Sequence, residues 1–579
     1  MVNVKNLFGM AVMATALVGC SSNDNLAPDG KDNVGKPGTA YAKFTIQLPT
    51  INGTRGDEAV KDGTPSFNGG TADEYAVKDA QLVIFEKKGT SEGDYTCVEH
   101  INIGNLEPWT DNTPNTGVTR YANITAQLNG VSIDKEGGKY LALVILNNGS
   151  ESKVTLPTEG MTYSEWNVAN SAKGAAAFLN SDNGFYMANA PLYSTGEPTT
   201  LVPISGVYST KAEAQTNPAT TVYVERGMAK VTVNGSDFTI NDASSTYNTD
   251  KVTINNWTLD VLNKSTFPVH VTTGLTADFN AIWTTPRFVA TGSTPQRVYW
   301  GKDPNYNKSP LTTVEDCQKE FYIVDHNSNT YNGDASSTFT WSEKATPLYC
   351  LENTFDINNM KQGQTTRVVF KATYTPHNLA SAIDKTFFMI GNNTQIWTKD
   401  ALVEQIASKA KEMLNSTAVV VTVKDDAPLL KGGSHLLSAA DVTIKDGTDD
   451  KTAAFDFATL NTKLGLDNTE KDVNNNPKVG IKTYENGECY YIARIKHFNE
   501  LTHWDSGSPL YGGKNAEFLG RYGVLRNNWY DLTVTKFSAP GYPDVPVVNP
   551  ETPDDEDTKY VNVEVKILDW AKRSQSVEL

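Results

Sequence analysis

The sequence predicts an all-β protein built from two tandem β-sandwiches with a few short helices. Short segments rich in Val, Ile, Thr and Tyr recur along the chain and are separated by turn residues. These segments show no regular alternation with helices, which a parallel α/β sheet would require. Because 579 residues exceed what one ordinary core holds, two domains are expected.

The charge balance narrows the possible partners. Asp and Glu number 67 against 50 Lys and Arg, which gives a net charge of -17. A chain this acidic, without a basic patch, is not expected to bind a nucleic-acid backbone. The 39 % of hydrophobic and 20 % of charged residues are typical of a soluble globular protein.

The first residues have the pattern of a secretory signal peptide. Lys5 precedes an apolar run from Leu7 to Val18 that is too short for a stable transmembrane helix. We therefore assign residues 1–19 to the signal. Leu17-Val18-Gly19-Cys20 resembles the bacterial lipobox, so Cys20 is the candidate lipid-bearing residue; an ordinary signal peptide with a chance cysteine is the alternative. A polar segment, 21–37, follows.

A first strand and a loop come next, within a predicted propeptide of residues 20–55. Four apolar residues alternate with polar ones, as in a strand with one buried face: Ala42, Phe44, Ile46 and Leu48. The following loop, Ile51–Gly70, is rich in Gly, Asp and Asn and contains Arg55 followed by Gly56. Exposed loops of this kind are preferred sites of proteolysis.

The middle of the chain divides into the two predicted sandwiches, 56–226 and 227–538, with a boundary near Arg226. One short helix is predicted between Tyr163 and Asn180. One amphipathic helix is predicted at Lys399–Leu414, and we expect it to pack on the outside of a sheet. Its apolar side comprises Leu402, Val403, Ile406, Ala410, Met413 and Leu414.

The C-terminal end repeats the pattern of the first strand. A segment rich in proline and acidic residues, 539–558, precedes a tail, 559–579. The tail alternates apolar with polar residues, and its apolar positions are Val561, Val563, Val565 and Ile567. Because proline-rich chains stay extended, we expect this linker to hold the strand away from its own domain. A strand with one apolar face is prone to aggregate in water unless it pairs with a sheet. We expect that sheet to belong to a second copy of the protein.

No arrangement of residues predicts catalysis, a cofactor or a metal. His497 and His503 are six residues apart, a spacing that fits neither a helical metal pair nor HExxH. The chain is therefore not expected to be an enzyme. The cysteines after Cys20 form no CxxC pair and are expected to be mostly buried thiols, with a Cys317–Cys350 disulfide left open; they are Cys97, Cys317, Cys350 and Cys489.

The segment Gly520–Pro546, "GRYGVLRNNWYDLTVTKFSAPGYPDVP", closely resembles the end of the C-terminal domain in Mfa-like fimbrillins of Bacteroidales, the subunits of type V pili. The likeness continues through the linker into the tail, which contains the motif V-x-V-x-aliphatic-x-x-W. Its residues are Val563, Val565, Ile567 and Trp570. Asp569 replaces the proline that relatives often have, and the helix at Lys399–Leu414 is a candidate insertion.

This resemblance implies two transthyretin-like, Greek-key β-sandwiches and export as an outer-membrane lipoprotein. It further implies cleavage by an Arg-specific protease between Arg55 and Gly56, which would remove the strand carrying Phe44, Ile46 and Leu48. Polymerisation would follow by donor-strand exchange, with the tail entering a neighbouring copy in a head-to-tail fimbria that also has anchor and tip subunits. Such a structural subunit would support adhesion and biofilm formation. The alternatives are a surface glycan-binding lipoprotein, uncleaved and monomeric, and a tip adhesin of the same pilus.

Overall fold

The computed structural model describes residues 39–568, apart from 50–69, 107–109, 112–117, 150–152, 171–174, 180–183, 194–195, 236, 276–295, 299, 310, 345, 472–475, 498–518 and 555–560. Strands make up most of its regular structure. In chain order they are β1 Ala40–Pro49, β2 Ala80–Glu86, β3 Thr96–Asn102, β4 Thr110–Asp111, β5 Val118–Leu128, β6 Tyr140–Leu146, β7 Met187–Asn189, β8 Leu192–Tyr193, β9 Val202–Pro203, β10 Thr220–Arg226, β11 Ala229–Asn234, β12 Asp237–Thr239, β13 Lys251–Asp260, β14 Leu262–Asn263, β15 Gln296–Arg297, β16 Phe321–Tyr322, β17 Val324–Asp325, β18 Thr330–Tyr331, β19 Asp334–Thr338, β20 Leu348–Cys350, β21 Arg367–Thr375, β22 Phe387–Ile390, β23 Val419–Val423, β24 Gly433–His435, β25 Val442–Asp446, β26 Asp449–Asp450, β27 Asp467–Lys471, β28 Pro477–Val479, β29 Ile481–Tyr484, β30 Glu488–Arg494, β31 Trp529–Phe537 and β32 Val561–Leu568.

The helices are short, with one exception. They are α1 Ala72–Tyr75, α2 Tyr163–Ala169, α3 Ala175–Leu179, α4 Lys211–Thr216, α5 Val314–Glu320, α6 Lys399–Leu414 and α7 Phe457–Lys463. Short 3₁₀ turns occur at Glu92–Asp94, His377–Leu379, Pro428–Leu430, Thr452–Ala454 and Glu485–Gly487. The predicted all-β class is confirmed, and so is the long amphipathic helix. Where one helix was predicted after Tyr163 there are two, because Asn170 ends the first by donating its side-chain amide to the Trp166 carbonyl.

The first sheet has nine strands in the order β3-β2-β6-β7-β10-β1-β5-β4, with β9 paired to β6. The inner faces of these strands close over one core. That core joins side chains from both halves of the sheet, among them Phe44, Leu82, Ile124, Val144 and Val222. Along the chain, the last residue of this core is Val224, which precedes Arg226. The first residue of the next core is Ala229, which follows Arg226. The central strands β2, β6 and β7 are buried on their other face as well, where a second group of side chains packs that includes Phe85, Leu143 and Trp166.

A second core lies between two four-stranded sheets, β20-β11-β31-β32 and β12-β13-β21-β30. Alternate residues of β11 and β31 point into it, and they face aromatic and aliphatic side chains of the other sheet. The fully buried Trp257 and Phe370 are part of this layer. The C-terminal sandwich thus receives β32 as its last strand.

A third core lies within the segment between β22 and β29. The helix α6 packs on β23 there, through Leu402, Ile406 and Ala410, which are fully buried. The entry and exit strands of the segment pair directly, because Phe387 lies opposite Tyr484. A segment with its own core and adjacent ends is expected to fold as a module of its own.

We expect this module to be dispensable for folding of the rest. Residues 392–479 can be replaced by a two-residue Asn-Gly turn, because the Gly391 N–H already donates to the Gly480 carbonyl at 3.0 Å. Phe388, Ile390 and Ile481 would become exposed and should be changed to threonine. The shortened chain should keep one cooperative unfolding transition of the C-terminal sandwich by circular dichroism; loss of that transition would show that the module is part of the core.

Candidate functional site

The first strand, β1, lies inside the N-terminal sheet and not at its edge. It pairs antiparallel with β5 along its whole length, from Ala40 opposite Leu128 to Pro49 opposite Val118. On its other side it pairs parallel with β10, from Phe44 opposite Thr220 to Gln47 opposite Tyr223. Loss of β1 would therefore leave unpaired backbone on two strands and open a groove through the sheet.

The apolar face of β1 fills the core beneath that groove. Phe44 and Ile46 have 0 % of their surface exposed, and Leu48 has 2 %. These are the three residues that the sequence assigns to the displaced strand. Between them, Thr45 and Gln47 are only half-buried. The groove vacated by β1 would thus be apolar on its floor and solvent-facing above.

Further contacts hold the outer side of β1, and sequence reasoning missed them. The backbones of Tyr41 and Tyr208 exchange two hydrogen bonds of 2.8 Å. The Lys43 ammonium donates to the carbonyl of Gln215, in α4, at 3.1 Å. No local sequence pattern predicts these contacts, because they join residues more than 160 positions apart.

The C-terminal strand, β32, is paired within its own chain. It runs antiparallel to β31, from Phe537 opposite Val561 to Trp529 opposite Leu568, with an irregularity between Val534 and Lys536. The expectation that the linker keeps this strand away from its own domain is therefore wrong for the single chain. The physical reason is that β31 otherwise presents an unpaired edge, and the chain returns to it.

The beginning of β31 is fixed by its other neighbour, β11. The Trp529 indole N–H donates to the Thr232 hydroxyl at 2.7 Å. The Lys230 ammonium lies 3.8 Å from the centre of the same indole ring. This cation–π contact and hydrogen bond stiffen the strand on which β32 rests.

The same lysine binds the helix that follows the candidate cleavage loop. Lys230 donates to the Glu74 carboxylate at 2.7 Å, and Tyr349 donates to it at 2.6 Å. Arg226 donates to the Glu74 carbonyl at 2.7 Å. Burial opposes ionisation of Glu74, yet the hydrogen bonds from Lys230 and Tyr349 outweigh it and lower its pKa below the ordinary value. The chain after the loop is thus bound to the C-terminal sandwich, a link that no sequence motif indicated.

Several predicted residues lie outside the described part of the chain: Cys20, Arg55, Gly56 and Trp570. Four buried cysteines within it carry free thiols. Burial raises the thiol pKa to about 11 at Cys97 and about 12 at Cys317, Cys350 and Cys489, so little reactive thiolate exists at neutral pH.

The described residues contain no metal-binding group of three or more His, Cys, Asp or Glu side chains. Among the same residues, no helix has the length and hydrophobicity needed to cross a membrane.

The described residues define a β-sandwich protein in which β1 lies inside one sheet and β32 lies at the edge of another. Residues 482–576 match the family model "Major fimbrial subunit protein type IV, Fimbrillin, C-terminal". The match confirms the resemblance to fimbrillins noted above, over the region that includes β31 and β32. No curated protein matches the sequence.

Solved structures resemble the chain only distantly. A candidate cell adhesion protein of Parabacteroides distasonis is 10 % identical with a TM-score of 0.36, over 93 % of this chain and 99 % of that one. A fimbrilin (fimA) of Porphyromonas gingivalis is 10 % identical with a TM-score of 0.35, over 92 % and 98 %. The tip fimbrial protein Mfa3 of Porphyromonas gingivalis is 11 % identical with a TM-score of 0.29, over 92 % and 100 %. All three TM-scores lie below 0.5.

Proposed function

We propose that this protein is a structural subunit of a cell-surface fimbria and that it polymerises by protease-triggered donor-strand exchange. The proposal rests on one observation: β1 is a central strand that is linked to the rest of the chain through the loop carrying Arg55. Removal of β1 would leave a groove with an apolar floor between β5 and β10. The fimbrillin match of residues 482–576 supports the fimbrial role.

The tail is the candidate occupant of that groove in a second copy. Val561, Val563, Val565 and Ile567 repeat the apolar alternation of β1. Burial of four such side chains is worth about 6–12 kcal/mol, against about 5–9 kcal/mol for Phe44, Ile46 and Leu48. The two strands are therefore close competitors, and the tail must also leave its place on β31. Proteolysis in the loop gives the exchange its direction, because a displaced β1 is then no longer tethered to the chain and can diffuse away.

The proposed location changes during this process. The precursor is an outer-membrane lipoprotein whose lipid is borne by Cys20, and cleavage after Arg55 separates the lipid from residues 56–579. The mature subunit then lies in the extracellular fimbria. Its partners are other copies of itself, the anchor and tip subunits, and the Arg-specific protease. Removal of residues 1–55 takes away five basic and three acidic residues and leaves 45 against 64, a net charge of about -19.

Arg55→Ala tests the cleavage step. The variant should remain full-length, lipid-bearing and monomeric, because β1 stays tethered and keeps its groove filled. Edman sequencing of wild-type filaments should begin at Gly56, and negative-stain microscopy of the variant should find no filaments.

Cys20→Ala is the matched control for the lipid. It should lose fatty-acid label, whereas Arg55→Ala should keep the label on the full-length chain. Normal filaments from Arg55→Ala, with cleavage at neither Lys43 nor Lys61, would refute the proposed activation. Equal label in wild type and Cys20→Ala would refute the lipid site.

A further inference from the structure

Residues 539–554, here called the strap, connect β31 to the tail and are bound to the C-terminal sandwich from their beginning. The Tyr484 hydroxyl donates to the Gly541 carbonyl at 2.9 Å. The backbones of Tyr542 and Tyr490 exchange hydrogen bonds of 2.7 and 2.8 Å. A side chain at Gly541 would lie 2.3 Å from the Tyr490 carbonyl oxygen, so the strap lies directly on the strand beneath it. The beginning of the strap is therefore packed against the C-terminal sandwich.

The middle of the strap is held by a buried charge and by an apolar side chain. Arg367 forms a buried ion pair with Asp260 at 2.8 Å and also donates to the Pro546 carbonyl at 2.5 Å. Val548 is 0 % exposed and packs in the cluster that contains Cys317. Lifting this part of the strap would leave a buried guanidinium short of an acceptor and expose an apolar surface.

The last residue of the strap is also buried and hydrogen-bonded to the C-terminal sandwich. Asp554 is 1 % exposed, accepts a hydrogen bond from the Thr365 hydroxyl at 3.1 Å, and donates its N–H to the Met360 carbonyl at 3.3 Å. Two residues earlier, the Thr552 carbonyl accepts from the Gln362 N–H at 3.0 Å. Between Asp554 and β32 only residues 555–560 remain.

We propose that the strap stays bound while β32 is exchanged, so that the strand swings from Asp554 and not from the end of β31. This inference rests on the proposed function. From Asp554 to Val561 there are seven Cα–Cα steps, which span at most about 25 Å when extended. A chain released from Ala539 onwards would reach about 75 Å.

The short reach identifies the surface that receives the next subunit. The groove vacated by β1 in the neighbouring copy must begin within about 25 Å of Asp554. The neighbour's N-terminal sandwich therefore docks at the end of the C-terminal sandwich formed by residues 357–365 and 549–554. The partner is a second copy of this chain, and the strap sets the distance between successive subunits.

A disulfide across the strap tests whether it must be released. Lys361 and Pro553 are paired in an antiparallel bridge, the geometry in which two cysteines can join. Lys361→Cys with Pro553→Cys, in the processed chain, should form filaments at the same rate whether oxidised or reduced. Filaments from the reduced protein alone would overturn the inference while leaving strand exchange intact. No filaments from the unsubstituted chain would reject strand exchange, and the inference with it.

A change in length provides the second measurement. Deletion of Asp555 and Glu556 shortens the proposed reach by about 7 Å, so filament formation should slow or be lost. Asp555→Asn with Glu556→Gln removes the same charges without changing the length, and it should polymerise normally. Formation of filaments by the deletion variant at the normal rate would mean that the strap detaches and extends the reach of the tail. That result would overturn the inference.

Discussion

A chain that begins at Gly56 should lose the cooperative unfolding of its N-terminal core. Without β1, the core lacks Phe44, Ile46 and Leu48, whose burial is worth about 5–9 kcal/mol. The backbones of β5 and β10 also lose their shared neighbour, at about 1 kcal/mol for each hydrogen bond. Since domains are stable by only about 5–15 kcal/mol, the truncated sandwich should unfold or remain partly folded. Thermal unfolding followed by near-ultraviolet circular dichroism measures this.

Peptides should restore the truncated core. A peptide of residues 39–49 should rebuild the transition, and a peptide of residues 559–579 should do so as well if the tail fits the same groove. Within the intact chain, Phe44→Ala should cost about 3–5 kcal/mol in the free energy of unfolding. Thr45→Ala, on the exposed side of the strand, should cost about 1 kcal/mol or less, since it loses one hydrogen bond to Asn123. Full stability of the truncated chain without any peptide would show that β1 is not part of the core.

Cleavage alone should not expel β1. The nicked strand keeps the same buried side chains and both ladders, so it leaves only when a competitor enters. What cleavage removes is the tether, and with it the high effective concentration that returns β1 to its groove. Nicked monomers should therefore accumulate whenever the tail is prevented from binding.

The sequence was sufficient to predict both strands but not where they lie. The alternation of Phe44, Ile46 and Leu48 predicts one buried face, and these side chains are buried. It cannot predict that β1 pairs with β10, because that partner lies some 180 residues later and its choice depends on the whole sheet. In the same way, the alternation after Val561 predicts a half-buried strand and leaves open whether β31 or another copy receives it.

The strap and Glu74 illustrate a second limit. A proline-rich composition correctly predicts the absence of a tight hairpin, since more than twenty residues separate β31 from β32. It does not predict attachment, which depends on isolated apolar residues such as Val548 and on distant partners such as Arg367. Glu74 reads as an ordinary acidic residue of a short helix, and only the fold brings Lys230 and Tyr349 to it.

Val563→Asp combined with Val565→Asp should abolish filaments while the N-terminal sandwich remains folded. In a neighbour's groove, two carboxylates would have to be buried without partners, at a cost above the roughly 2–7 kcal/mol of a neutral polar group. Asn562→Asp with Lys566→Glu is the matched control, because these polar positions alternate with the apolar ones and should stay wet. Negative-stain microscopy and size-exclusion chromatography distinguish the outcomes. Filaments from the first variant, or their loss in the second, would contradict the assignment of the apolar face.

Locking the tail to its own chain should have the same effect without changing either apolar face. Thr533 and Glu564 lie opposite each other in the β31–β32 ladder, so Thr533→Cys with Glu564→Cys should join the strands within one chain. The oxidised, processed protein should stay monomeric and polymerise after reduction, because β32 cannot occupy β31 and a neighbour's groove at once. Each single variant should polymerise under both conditions. Filaments from the oxidised double variant would mean that subunits join while β32 stays paired with β31 of its own chain. A donor strand other than the tail would then be required.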